Sequence, residues 1–166
     1  MRPGRKPASW YRQSGVVALR RRAGAAQVLL VTSARGKRWV IPKGIVEKGH
    51  SPARSAAKEA WEEAGVTGRV GRRMLGRYRY EKWQGVCRVL VYRLDVERVH
   101  RAWPEDHVRR RVWLAPDKAA SRVREPALAG IHTRSAVADR FPAAADVLAK
   151  RCLSAAPLCM PYSRRG

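Results

Sequence analysis

Acidic residues are scarce in this chain: 13 Asp plus Glu stand against 36 Lys plus Arg in 166 residues, a formal net charge of +23. So few carboxylates disfavour neutral or cationic partners and favour polyanions: nucleic acid, an anionic membrane or a small polyphosphate. An Arg-rich solvated surface is the plainer account of the same charge, and charge alone does not choose among them. Cysteine is also sparse. Cys87, Cys152 and Cys159 are odd in number and make no CxxC pair, which argues against a disulfide framework or a zinc knuckle and fits a reducing cytosol. No run approaches the ~20 apolar residues of a membrane span. The basic stretch from Met1 to Tyr11 is not followed by the apolar segment and small-residue cleavage site of a signal peptide. These absences predict a cytoplasmic protein with no membrane partner. Internal repeats are missing too, as is any block of Pro, Gly, Ser or like charge long enough for a disordered half.

What is present suits one folded unit. Apolar residues make up 45% of the chain, and this length supports one full core but not two. We divide it into a basic lead-in over 1–12, a domain over 13–153 and a tail over 154–166. Gly15 to Leu19 and Gln27 to Val31 are short apolar runs that read as a β-hairpin across an Arg- and Gly-containing turn. Arg38 to Ile41 is a third strand, stopped by Pro42 and Gly44. Ser51 as N-cap and Pro52 behind it start a helix that Gly65 ends. Along it Ala53, Ala56, Ala57, Ala60, Trp61 and Ala64 recur at spacings of three and four, a small-residue face for close packing on a sheet. Val66–Val70, Gly76–Tyr80, Cys87–Leu94 and Arg111–Leu114 are extended; Pro116 to Val123 is a short helix, and a longer one falls within Ser135 to Leu153, interrupted near Pro142. Strands with interspersed helices predict an α/β sandwich.

The chemically informative residues lie on the first helix. Glu59, Glu62 and Glu63 stand at i, i+3 and i+4, so three carboxylates share one face. Like charges at this spacing repel. A solvated acidic stripe is the ordinary explanation, but here three of only 13 acids gather on one turn behind a Gly-containing loop. A hard cation such as Mg²⁺ or Mn²⁺ turns that repulsion into ligation, and a metal amid Arg and Lys is what phosphoryl chemistry requires.

Gly44, Glu59, Ala60, Glu62, Glu63, Gly65 and Val66 together resemble the Nudix box, G-x5-E-x7-R-E-U-x-E-E-x-G-U, in unbroken register. His50 stands where the family usually has Glu, and Lys58 where it has Arg. The resemblance implies a Nudix α/β/α sandwich with a mixed central sheet, and a hydrolase that cleaves pyrophosphate linkages using Mg²⁺ or Mn²⁺. It implies that Glu59, Glu62 and Glu63 bind metal and help activate water. Gly44, His50, Lys58 and Gly65 would shape and brace the loop and helix, although Lys58 cannot supply the bidentate fork of Arg. Glu105 and Asp106 are further acids that could serve as a base; turn formation is their simpler role.

Beyond the box the chain, from about Val16 to Leu128, is similar to the diphosphoinositol polyphosphate and diadenosine polyphosphate hydrolase branch. That likeness implies phosphate contacts from Arg20, Ser33, Arg35, Lys43 and Arg88, and a small polyphosphate substrate. Of the five tryptophans from Trp39 onward, Trp39, Trp61 and Trp113 read as core, leaving Trp83 and Trp103 as the candidate base-stacking platforms among them. Two alternatives stand beside this reading: a catalytically weak domain that binds RNA or another polyanion, and removal of pyrophosphate from RNA 5′ ends.

Overall fold

The computed structural model describes residues 9–82 and 84–138, so Trp83 and everything expected beyond Ala138, including the tail over 154–166, lie outside the described residues. The strands are β1 (Trp10–Arg22), β2 (Ala25–Thr32), β3 (Trp39–Val40), β4 (Lys43–Ile45), β5 (Val66–Lys82), β6 (Gly85–Val99) and β7 (Arg111–Leu114). The helices are α1 (Pro52–Ala64), α2 (Pro116–Arg122) and α3 (Pro126–Ala138). The sheet is mixed, ordered β3-β2-β1-β6-β5, with β1 and β6 parallel and the other pairs antiparallel.

The expected hairpin forms, but β1 and β2 pair only over Leu19–Arg22 and Ala25–Val28. Beyond that they part, and the segment from Trp39 to Ile45 fills the opening. β3 bonds to β2 at Val31 and Thr32, and β4 bonds to β1 over Gln13–Gly15. This wedge carries Lys43 and Gly44 into the sheet, where α1 can reach them. Val66–Val70 and Gly76–Tyr80 belong to one long strand, β5, with register shifts at Thr67/Gly68, Val70/Met74 and Met74/Gly76. The stretch between the two expected segments, residues 71–75, is spanned by the ladder through these irregularities.

Strand alternation gives the sheet two apolar faces. Val16, Ala18, Leu29 and Val31 pack with Ala56, Ala60 and Ala64 of α1. Val17, Leu19, Val28 and Leu30 pack with Ala119 of α2 and Leu128 and Ile131 of α3. The α/β/α layering follows. The helix α1 has the predicted caps: Ser51 Oγ accepts from the Arg54 N–H at 3.2 Å, and Gly65 closes it in the left-handed region at φ 61°. A Cβ at Gly65 would sit 2.8 Å from that of Trp103, so both conformation and space require glycine there. Trp39 and Trp113 pack partly buried against the core, as expected, while Trp61 flanks it with its ring edge-on to His100 at 4.7 Å.

Helix α3 begins at Pro126, nine residues before the start expected from sequence. It buries His132 completely, with neither ring nitrogen hydrogen-bonded. Burial lowers this imidazole's pKa from 6.5 to about 4. The unfolded chain therefore takes up a proton between pH 6.5 and 4 that the folded chain refuses, and stability falls with pH across that window. Replacing His132 by Leu should gain about 2 kcal/mol at pH 5 relative to its effect at pH 7.5. Urea unfolding at the two pH values checks this, and a pH-independent difference would show that His132 does not titrate with folding.

Candidate active site

Helix α1 carries its glutamates to the place where β4 enters the sheet. Gly44 is the contact point: a Cβ built on it would lie 1.9 Å from Glu59 Oε1. The Glu59 carboxylate thus lies directly against the Gly44 backbone, and Gly44→Ala should push it away. Turnover is expected to fall by more than tenfold with the melting temperature nearly unchanged, measured on the purified variant; unaltered turnover would mean that the position of Glu59 is not critical.

Each glutamate has a different electrostatic situation. Glu59 is half-buried, and loss of hydration, followed by repulsion from Glu63, Glu62 and Glu105, raises its pKa to about 7. Glu63 is buried. Its Oε2 accepts the Lys43 N–H at 3.0 Å, and its Oε1 pairs with the Arg109 guanidinium. Burial raises the Glu63 pKa, while Arg109 and the Lys43 contacts oppose that rise. Glu62 faces Lys58 at 3.1 Å.

Lys58 therefore bridges Glu62, one turn along α1, and Glu47 of the loop. The hydrogen bond from Lys58 lowers the Glu47 pKa, and the same two glutamates raise that of Lys58. The Glu47 carbonyl accepts the His50 N–H at 3.1 Å within the loop, and the Glu47 N–H donates to Ser55 Oγ at 3.2 Å, tying the loop to α1. His50 Nδ1 lies 3.0 Å from Glu47 Oε2, poorly aligned for a hydrogen bond. In this chain Glu47, three residues upstream of the usual acidic position, braces the loop.

Arg109 is the residue that sequence reading missed. Its side chain is only 10% exposed, against 6% for Glu63. One nitrogen meets Glu63, another meets Glu105, and a third donates to the Thr32 carbonyl at 2.8 Å. The Glu105 N–H in turn bonds the Glu62 carbonyl at 3.1 Å, so the 100–110 loop is fastened to α1. The i,i+4 spacing of Glu105 and Arg109 was the only trace of this in the sequence.

Among the described residues no three His, Cys, Asp or Glu side chains stand close enough to form a metal-ligand group. Lys58 and Arg109 account for this by holding Glu62 and Glu63. The donor chemistry nevertheless fits a hard divalent cation: Glu59 supplies carboxylate oxygens, forms no ion pair among the described residues, and lies in the repulsive field of three other acids.

The phosphate-contact residues inferred from sequence do not gather in one place. Ser33 and Arg35 line a cavity of about 650 Å³ with Lys37, Arg38, Lys82 and Arg124. Lys43 Nζ lies over Tyr80, 5.3 Å from the ring centre, on the same face of β5 as Lys82. Burial lowers the Lys43 pKa, and Glu63 counters it. Arg20 stands apart: its Nε donates to Gln27 at 2.9 Å and its guanidinium covers Trp113 at 3.9 Å. Arg88 also stands apart, beside Trp10 in a different cavity. Trp103 carries the Arg111 guanidinium on its ring at 4.1 Å and packs against Gly65, so that ring face is already covered.

Known proteins are similar to this chain in sequence or in fold. Nudix hydrolase 16, mitochondrial, of Arabidopsis thaliana is 34% identical over 108 residues, covering 60% of this chain and 59% of that protein. Diphosphoinositol polyphosphate phosphohydrolase 2 of Rattus norvegicus is 40% identical over 97 residues, covering 56% and 52%. The chain thus spans somewhat more than half the length of these curated relatives. Among solved structures, a C. elegans Ap4A hydrolase binary complex superposes with a TM-score of 0.60 at 20% identity, covering 79% of this chain and 99% of that one. That likeness concerns the fold. No helix among the described residues is long and apolar enough to cross a membrane. The loop and glutamate helix wedged into a mixed sheet agree with the match of the NUDIX domain model to residues 11–134, and the chain belongs to that family.

Proposed function

We propose that this protein is a divalent-metal-dependent pyrophosphohydrolase acting on a small, highly phosphorylated substrate, with an inositol polyphosphate favoured over a dinucleoside polyphosphate. The observation that carries this reading is the pairing of an uncompensated carboxylate, Glu59 on Gly44, with a basic cavity lined by Arg35, Lys37, Arg38, Lys82 and Arg124. Among the described residues five cations line that cavity, which suits several phosphates. Diphosphoinositol polyphosphate phosphohydrolases are among the relatives, in agreement with this chemistry.

Glu59, with Glu62 and Glu63, would hold Mg²⁺ or Mn²⁺. The bound ion would acidify a water and neutralise charge on the phosphates. Ser33, Arg35 and Lys43 hold the phosphates, with the Arg side chain suited to bidentate contacts and Lys43 to a point-charge contact. Water attacks phosphorus, and a phosphoanhydride bond breaks without a covalent enzyme intermediate. Glu59 or another of these acids would help to take the proton from that water. Gly44 and Gly65 keep the loop and helix in place, while His50 and Lys58 act through Glu47.

The test is release of phosphate, pyrophosphate or nucleotide from diphosphoinositol polyphosphates, diadenosine polyphosphates, nucleoside triphosphates and 5′-triphosphorylated RNA, with Mg²⁺, Mn²⁺ or chelator. Metal-dependent cleavage preferring the inositol compounds is expected. Preference for RNA would reassign the substrate, and a folded protein that cleaves nothing would refute the enzyme reading.

A further inference from the structure

Three arginines stand side by side across three strands: Arg12 of β1 is the register partner of Arg88 in β6, which is the partner of Arg79 in β5. Like charges directly opposite destabilise a sheet. All three side chains are exposed, as is Arg77 one step along the same face, and no carboxylate pairs with any of the four among the described residues. Trp10, 52% exposed, lies at the start of β1 with the Arg88 and Arg79 guanidinium groups 5.1 and 5.5 Å from its ring centre. Trp10, Tyr11, Arg12, Arg77, Arg88 and Leu90 line an open cavity of about 360 Å³. Alternation along β5 puts Arg77 and Arg79 on the opposite face from Tyr80 and Lys82, so this cavity and the one beside Ser33 open on different faces of the sheet.

We propose that this second cavity is a nucleotide-binding site, separate from the cleavage site, which takes one phosphate on the arginine row and the attached base against Trp10. An anion there relieves the cross-strand repulsion, and the exposed indole supplies a planar surface for a base. Guanidinium groups interleaved with an aromatic ring are the means by which proteins hold single nucleotides without reading their sequence. The cavity volume matches one nucleotide rather than a longer folded ligand. The unit can come from a free nucleotide or from one position in single-stranded RNA, since both present the same phosphate and base.

Calorimetric titration of the full chain, in chelator so that cleavage is silent, separates the possibilities. The probes are adenosine monophosphate, inorganic phosphate and a 5′-hydroxyl hexa-adenylate. Trp10→Ala and Arg12→Gln should each weaken nucleotide binding about tenfold. Arg12→Gln should leave the melting temperature unchanged or raised, because it removes a repelling charge. Turnover of pyrophosphate substrates in both variants should equal that of the parent. Tighter binding of the hexamer, with steep salt dependence lost in the same variants, identifies RNA as the source; binding of the monophosphate alone identifies a free nucleotide. The proposal is overturned if neither binds, if inorganic phosphate binds as well as the monophosphate and Trp10→Ala changes nothing, or if turnover falls in step with binding. In the last case the cavity belongs to the cleavage site, whose own activity remains measurable.

Discussion

Replacing Glu59 by Gln should abolish most turnover and, in chelator, make the protein more stable. The two effects have one cause. Glu59 is surrounded by Glu62, Glu63 and Glu105 and is half-buried, so its ionised form is disfavoured in the folded protein and its pKa rises to about 7. Between pH 4.5 and 7 the folded state keeps a proton that the unfolded chain releases. Stability therefore falls as pH rises through this window and stays reduced above it. Gln does not titrate, so the variant should lose that slope and gain about 1–2 kcal/mol at pH 8, a figure reduced for the solvent that still screens this side chain. Turnover should fall at least about a hundredfold, the scale seen on removing even a group that only orients a metal ligand. Chelated melts at pH 5 and 8 and initial rates with Mg²⁺ test both halves. Retained turnover would remove Glu59 from the site, and an unchanged melt at pH 8 would show that its charge is not strained.

The largest loss of stability is expected from Arg109→Met. Arg109 is the shared counter-ion of Glu63 and Glu105 and also satisfies the Thr32 carbonyl. Removing one partner of a buried ion pair leaves the other charge uncompensated and costs about 3–5 kcal/mol, which for a domain of this size is a melting-point loss of roughly 10–20 °C. Arg101→Met, at an exposed position in the same loop, should change little. Glu63→Gln leaves Arg109 without its carboxylate and should also destabilise. The double variant Glu63→Gln/Arg109→Met should lose less than the sum of the two singles because they break one interaction. Additive losses would show that the pair is not coupled, and a shift of only a degree or two in Arg109→Met would show that the pair contributes little.

The caps of α1, its alanine face and the box spacing were legible because each is a local pattern: the Ser51 cap, the Gly65 stop and the 59–62–63 spacing need only neighbouring residues. The hairpin start, β7 and α2 were legible for the same reason. The continuity of β5 was not, since Gly71 and Gly76 resemble strand ends until a long partner, β6, holds the chain extended on both sides of them. Helix α3 was placed late because its first turns are held by packing of Leu128 and Ile131 on the sheet rather than by a distinct local signal.

The sequence by itself determined the mixed α/β character, the glutamate helix and the scarcity of acid that makes three clustered carboxylates conspicuous. Tertiary structure alone decided which cations hold those carboxylates: Lys58 on Glu47 and Glu62, and Arg109, 46 residues away in sequence, on Glu63. It also sorted the arginines into a cavity beside Ser33, an isolated Arg20 and the row at Trp10. Ion pairing and strand register depend on residues far apart in the chain. A basic sequence offers many equivalent cations, and only the fold selects among them.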